Sequence, residues 1–434
     1  MGAFGIPAGA SPPLIGGLVF AVALGAYVVA AVHDPRHLWS MIDLDVYRWG
    51  GEMARQHRNV YDLKYGGFLS FTYTPLAVLA FELMSHLSLA VLRFVMTGAS
   101  LAALVVALWV AFGLAGVSGA GQRPRRAGLT LGTAGLVLGL EPVMQTLGFG
   151  QINLLLMALV LVDLAQPDSR RWKGAGVGLA AAIKLTPAIF VAYLVLTRRL
   201  RAAAVACATF AATVALGFLT LPAPSRRFWF GRLFLNSERV GGVGYAGNQS
   251  VNGALVRLFG GVSQARPVWF AAALLIGGGG LLLAAWASRR GEELLGIATC
   301  ALTALLVSPI SWSHHWVWVV LLVPCGVRLL RDPRSALGGT GTGTGGGTGT
   351  GTIVGTGGGT GAWIGGWLGL AGLIALFLAG PVRLIWRPPH TGDLEYGWHG
   401  AQLIAGNLYV LLGLILLAMT AAYLSRLGPR QGAG

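Results

Sequence analysis

The sequence predicts an all-α polytopic membrane protein, and three observations carry that reading. Of its 434 residues 55% are hydrophobic and only 11% are charged, whereas a water-soluble globular protein carries about 25% charged residues. Apolar runs recur from end to end, near 14–32, 88–115, 128–143, 150–166, 202–221, 267–287, 294–310, 315–330, 362–380 and 401–424, and a spanning helix needs about 20 apolar residues. Finally, 31 Lys and Arg against 15 Asp and Glu give a net charge of +16. The excess is scattered in short connectors between the runs, which suits anionic headgroups and lipid-linked phosphates rather than nucleic acid. The expectation is about 10–13 transmembrane or re-entrant helices with short outer-face helices.

The run 14–32 follows a start without a basic region and precedes no small-residue cleavage site, so it reads as a retained helix rather than a removed signal peptide. The basic connectors are Arg123/Arg125/Arg126, Arg170/Arg171/Lys173, Arg198/Arg199/Arg201, Arg289/Arg290, Arg328/Arg331/Arg334 and Arg426/Arg430. Lys and Arg stay on the cytoplasmic side. Placing every cluster there makes both termini cytoplasmic and fixes the crossings in between. Run 73–87 then becomes a short helix dipping from the outer face. Between Lys173 and Arg198 the chain must leave and return within about 24 residues, room for one full pass or two half-passes. Lys184 and Pro187 lie at the middle of that segment, so a broken, re-entrant hairpin lining a protein cavity is expected.

The same topology gathers the polar material on the non-cytoplasmic side: loop 33–72, loop 222–264, the turn Ser311–His315 and the turn 381–400. The Gly/Thr tract 338–361 reads as a flexible cytoplasmic linker. It divides a unit over 1–337 from C-terminal helices over 362–434. Cys207, Cys300 and Cys325 sit inside apolar runs, which leaves neither a disulfide framework nor a CxxC site.

Several clusters could carry chemistry. The first outer loop holds Asp43, Asp45, Glu52 and Asp62 out of only 15 acids, and acids are costly near a bilayer. Val46, Trp49 and Met53 fit a surface helix whose solvated face takes Asp45, Glu52 and Asp62. Asp43 is expected ahead of that helix, where it either caps free N–H groups or serves as a general base in a cavity. Glu141, Gln145, Gln151 and Asn153 flank an outer turn, their amides available to a neighbouring helix or to sugar hydroxyls. Lys184 either snorkels or binds an anion such as phosphate. Asn248, Gln249, Ser250 and Asn252 follow a Gly-rich stretch that matches no nucleotide fingerprint and reads as a polar loop folded over a cavity. His314 and His315 lie among Trp312, Trp316 and Trp318. Adjacent histidines cannot share a helix face, so one His toward a phosphate or hydroxyl is favoured over a metal site, and Trp318 reads as an interface anchor.

These segments together give the chain a family likeness. Asp43-Leu-Asp-Val-Tyr47, FTYTP at 71–75 (with Tyr73), GQINLLLM from Gly150, IKLTPAI from Ile183, GNQSVNGAL from Gly247 and LLVSPISWSHHWVW from Leu305 resemble the polytopic GT-C glycosyltransferases that use polyprenyl-phosphate sugars. They are most similar to the polyprenyl-phosphomannose-dependent α-1,2-mannosyltransferases of phosphatidylinositol mannosides and lipomannan. Thr74 is a departure, because the family often has proline there. The resemblance implies a GT-C fold, no cofactor and no metal, a polyprenyl-phosphate sugar donor, and a glycolipid or lipoglycan acceptor at the extracytoplasmic face of the plasma membrane. It implies Asp43 as catalytic base of an inverting displacement, with the two histidines at the outer rim. Asp45, Tyr47, Tyr73, Gln151, Asn153, Asn248, Gln249 and Trp312 are then candidates for substrate binding. Lys184, His314 or Arg257 would hold the departing phosphate. An arabinofuranosyltransferase of the same family, and a lipid or sugar transporter, are the competing readings.

Overall fold

The computed structural model describes residues 11–331, 359–381 and 394–427. It is helical throughout apart from a two-stranded antiparallel hairpin, Lys64–Tyr65 with Leu69–Ser70. The helices in chain order are α1 (Pro12–His33), α2 (Pro35–Leu38), α3 (Ile42–Arg55), α4 (Pro75–Met84), α5 (Leu89–Leu114), α6 (Arg123–Val137), α7 (Glu141–Phe149), α8 (Asn153–Leu164) and α9 (Ala175–Ile183). They continue as α10 (Ile189–Leu196), α11 (Leu200–Thr220), α12 (Pro222–Trp229), α13 (Val251–Phe259), α14 (Val262–Arg289), α15 (Glu293–Val307), α16 (Leu322–Arg331) and α17 (Gly359–Ala379), with Ala401–Gly406 and Leu408–Arg426 closing the chain. Among the described residues six helices are long and apolar enough to cross a membrane, seven if the bent pair α6–α7 is counted as one span, and shorter apolar helices fill in between. The expected all-α polytopic membrane architecture holds.

The segment between the basic connectors Lys173 and Arg198 is a hairpin of two half-length helices. Gly174 packs its backbone on the carbonyl of Ala202 and Gly178 on that of Ala206, approaches so close that any Cβ would collide. Both contacts advance together along the chain, so α9 runs parallel to α11. A tight turn joins α10 to α11, with Arg199 N–H bonded to Leu194 O at 2.8 Å, so α10 descends. Nine residues lift α9 by about 14 Å, less than half of a hydrocarbon core of about 30 Å.

Chemistry local to the tip explains the break. Pro187 has no N–H to give and its ring would clash with the carbonyl of Ile183. Lys184 accordingly adopts an extended conformation, φ −139° and ψ 126°. The carbonyl of Ala182 orphaned there accepts the hydroxyl of Thr74, which also caps α4 through Ala77 N–H. The base of α9 is capped by Asp163, which accepts from Gly174 and Val177 N–H at 2.9 and 3.0 Å.

Other elements depart from their expected form. Run 128–143 is not one helix but α6 and α7, bent by 78°, with Pro142 in the first turn of α7. Run 401–424 is interrupted at Asn407, where Gln249 accepts from Tyr409 N–H and donates to Gly406 O. Run 315–330 opens as a 3-10 helix over Ser313–Leu321 before α16. Trp318 is half-buried against Phe190, with ring centroids 5.4 Å apart. Most of the Gly/Thr tract 338–361 lies outside the described residues, as do residues 382–393 of the 381–400 turn.

The basic connectors gather at the end of the bundle where α8, α10 and α14 stop and α9, α11 and α15 start. Arg199 bridges Glu293 and Asp168, Lys173 pairs with Asp168, and Arg328 pairs with Glu292. The outer loop, the hairpin tip and the histidine turn meet at the opposite end.

Candidate active site

At that opposite end two adjoining cavities of about 450 Å³ each share a wall. One is polar. Asp43, Tyr47, Tyr73, Gln151, Arg239, Trp312 and His314 line it, together with Lys184 and His315. The other is mostly apolar, walled by Phe71, Leu185, Ile189, Phe228, Phe234 and Val307. Lys184, Arg239, Tyr73 and His315 face both. The cations therefore stand between a polar chamber and a greasy one.

Asp43 enters through the start of α3. It does not precede the helix, as expected, but lies in its first turn and makes no cap. The reason is Met41, whose N–H is tied to Gly148 O at 2.7 Å and whose left-handed backbone, φ 52°, starts the helix one residue earlier. Gly150 ends α7 with φ 68° and abuts Leu44 and Met41 so closely that a Cβ would overlap both. That contact sets Gln151 beside Asp43. Burial pushes the Asp43 carboxyl up to about 6, while a hydrogen bond from Gln151 and the charge of Lys184 oppose the rise. A carboxylate near neutral pKa suits a base that must take a proton and later release it.

Gln151 carries a compact network. Its amide oxygen accepts from Tyr47 Oη at 2.8 Å and from Tyr73 Oη at 3.0 Å, with the two hydroxyls 2.6 Å apart. On the far side Lys184 Nζ donates to Asn153 Oδ1 and to His315 Nε2, both at 3.1 Å. Because an ammonium has only donors, His315 presents Nε2 as an acceptor and carries its proton on Nδ1. Asn153 Nδ2 and Thr146 Oγ1 both hold the carbonyl of His314 at 2.9 Å. His314 lines the polar chamber, and its buried Nε2 has no hydrogen-bond partner.

The other expected site residues are placed elsewhere. Asp45 faces away and sits 3.6 Å from Arg93. Asn248 and Gln249 do not face a cavity. Asn248 bonds Val243 O, Pro309 O and Ser311 N–H, and Gln249 joins Ala246 O, Gly406 O and Tyr409 N–H. They staple three backbone segments instead of covering the site. Arg257 is 1% exposed, and its five N–H donors are taken by Asn407 Oδ1 twice and by the carbonyls of Gly244, Tyr245 and Asn248. Nothing remains for a phosphate. The sequence reading missed Arg239, Asn236, Lys64 and Thr72, which line the polar chamber; Arg239 lies just ahead of the Gly-rich stretch and carried no spacing signal of its own. Among the described residues no group of three His, Cys, Asp or Glu side chains is placed to hold a metal ion.

Known proteins resemble this chain over most of its length. The model of glycosyltransferase family 87 matches residues 71–309. The chain belongs to that family. The family 87 match starts after Asp43 and stops before His314. The chain is 36% identical over 323 residues, 70% of its length and 73% of the relative's, to a protein of Mycobacterium tuberculosis named polyprenol-phosphate-mannose-dependent alpha-(1-2)-phosphatidylinositol mannoside mannosyltransferase. It is 35% identical over 309 residues, 69% of its length and 72% of the relative's, to a Mycolicibacterium smegmatis protein named polyprenol-phosphate-mannose-dependent alpha-(1-2)-phosphatidylinositol pentamannoside mannosyltransferase. No solved structure gives a significant match.

Proposed function

We propose that this family 87 glycosyltransferase moves mannose from a polyprenyl-phosphate donor to a hydroxyl of a phosphatidylinositol-mannoside-type glycolipid, with Asp43 as base. The names of its relatives supply the donor and the acceptor class. One observation carries the chemistry: a carboxylate and two cations share a polar chamber, and an apolar chamber opens behind the same cations. The isoprenoid lies in the apolar chamber, its phosphate against Lys184 and Arg239, and its sugar among Tyr73, Trp312 and the histidines.

In the displacement, Asp43 takes the proton of the acceptor hydroxyl while that oxygen bonds to the anomeric carbon. The bond from that carbon to the phosphate oxygen breaks, its electron pair leaves with the polyprenyl phosphate, and the anomeric centre inverts. Lys184 and Arg239 stabilise the charge that grows on the phosphate, where preorganised donors count most. The chamber opens on the extracytoplasmic face, and the ends of the described helices that carry the basic connectors are cytoplasmic. That orientation follows from the gathering of Lys and Arg at the far end of the bundle.

The test is incubation of purified protein with mannosyl and arabinosyl lipid phosphates and a phosphatidylinositol mannoside, followed by mass analysis of the glycolipid. A product one hexose larger, formed only with the mannosyl donor, supports the reading. A pentose adduct, or no product beside transport in proteoliposomes, overturns it. Labelling of Asn236→Cys by a membrane-impermeant thiol reagent from the cytoplasmic side alone would overturn the orientation.

A further inference from the structure

We infer that the hairpin Lys64–Ser70 forms an acceptor subsite: Phe68 at its tip stacks on the acceptor sugar next to the reacting one, and the Lys64 ammonium donates to that sugar's hydroxyls. This deepens the proposed function and rests on it. The hairpin holds both side chains at the rim of the polar chamber. Its ladder pairs Lys64 with Ser70 and Tyr65 with Leu69. Residues directly opposite share a face, and Lys64 and Ser70 both line the chamber. Tyr65 meets Trp49 of α3 edge-on, ring centroids 5.9 Å apart, which docks the ladder on the helix that carries Asp43 in its first turn. At the tip Phe68 N–H bonds back to Tyr65 O at 3.2 Å. The two residues between them are glycines with φ 60° and 83°, a region glycine enters freely, so Phe68 is the bulky side chain of that turn.

Phe68 lines the polar chamber and is nevertheless 69% exposed, so most of its ring is free to take a ligand. The face of an aromatic ring is negative and attracts the positive side of C–H bonds. A pyranose presents such C–H bonds on one side of its ring, while its hydroxyls reach outward to donors such as the exposed Lys64 ammonium. Position selects the acceptor over the donor. Lys64, Phe68 and Ser70 border the chamber that holds Asp43 and do not border the apolar one. Inversion brings the acceptor oxygen to the anomeric carbon from the side opposite the departing phosphate. With that phosphate against Lys184 and Arg239 at the junction of the chambers, the acceptor enters along the border that the apolar chamber does not share. Its reacting sugar then lies at Asp43 and the neighbouring sugar at the rim, on the hairpin.

The experiment gives the full-length protein a mannosyl lipid phosphate and compares octyl mannoside with octyl mannobioside as acceptors. Both glycosides are also read as inhibitors of transfer to a phosphatidylinositol mannoside, so their ratio is measured whether or not they are turned over. The wild type favours the disaccharide about tenfold, because only its second sugar reaches the hairpin. Phe68→Ala narrows that preference about tenfold, the size of one lost aromatic contact, and does so through acceptor KM more than through kcat. Phe68→Trp restores the preference, and Lys64→Met narrows it about threefold. A wild type that treats the two glycosides alike, or a Phe68→Ala variant that keeps the preference, overturns the subsite and leaves the proposed transfer standing. So does a Phe68→Ala variant in which donor KM rises instead, since the ring would then touch the donor. A wild type that transfers no mannose to the phosphatidylinositol mannoside removes the proposed function and this inference with it.

Discussion

Lys184 and Arg257 are both cations on apolar stretches of the sequence, and the sequence offers both as holders of a phosphate. The structure treats them in opposite ways. Arg257 lies in a nest of backbone carbonyls and the Asn407 side chain, with all five donors taken. Lys184 sits where a hairpin breaks and donates to Asn153 and His315, leaving one of its three N–H groups for a ligand. A rigid fork with five donors is suited to tying backbone together, whereas a compact ammonium on a flexible stem can be shared with a substrate. What separates structure from function here is whether the donors are already used.

That contrast can be broken by substitution. Arg257→Met leaves several carbonyls unpaired in the interior, so a loss of stability of about 3 kcal/mol or more is expected, read as a fall in the thermal midpoint in detergent. Arg257→Lys should not rescue it. Lys184→Met should do the reverse: the thermal midpoint holds or rises, because a desolvated charge is gone, while kcat/KM falls about 10²- to 10³-fold, as for loss of a transition-state donor. A destabilised Lys184→Met with normal turnover would erase the distinction. Arg239→Gln sharpens it from the substrate side. With one of two cations lost at the junction of the chambers, donor KM should rise about tenfold, and an unchanged KM would place the phosphate elsewhere.

Asp43 adds a pH-dependent test. Its carboxyl ionises near the ordinary Asp value of 3.8 in the unfolded chain and at about 6 in the fold. The folded state thus holds the proton more tightly, and this contribution to stability is full below the unfolded value and lost as pH rises through 6. Asn cannot ionise. Asp43→Asn should therefore match the wild-type thermal midpoint near pH 4, exceed it increasingly toward pH 6, and keep a constant lead above that. The smallest effect is expected from Thr74→Val, which strips the hydroxyl that joins the hairpin tip to the start of α4. A cost of about 1–2 kcal/mol follows from the lost cap and the orphaned carbonyl.

Much of this was legible in the sequence, for local reasons. Pro187 and the short interval between Lys173 and Arg198 required a broken hairpin, and the structure has one with Lys184 at the break. Scarce acids in one outer loop and paired histidines in another pointed to a common chamber, and Asp43, His314 and His315 line it. What stayed hidden depends on partners far away in the chain. Nothing near Arg257 indicates that Asn407, 150 residues on, completes its hydrogen bonds, and nothing in the amides of Asn248 and Gln249 shows that they turn inward to backbone. Arg239 had no periodicity or spacing to mark it, since its partner is the carbonyl of Tyr61, 178 residues away in the chain. The bend between α6 and α7 was missed because the run 128–143 stays free of charge up to Leu140 and the Glu141-Pro142 pair that opens α7 falls at its very end.

The most direct measurement is transfer of labelled mannose from polyprenyl-phosphomannose by purified Asp43→Asn, alongside binding of the unreacted donor. Donor binding close to wild type, with turnover reduced by several orders of magnitude at every pH, is the predicted result. Turnover within a few-fold of wild type would contradict the account, because the proton of the acceptor hydroxyl would then be leaving to another group.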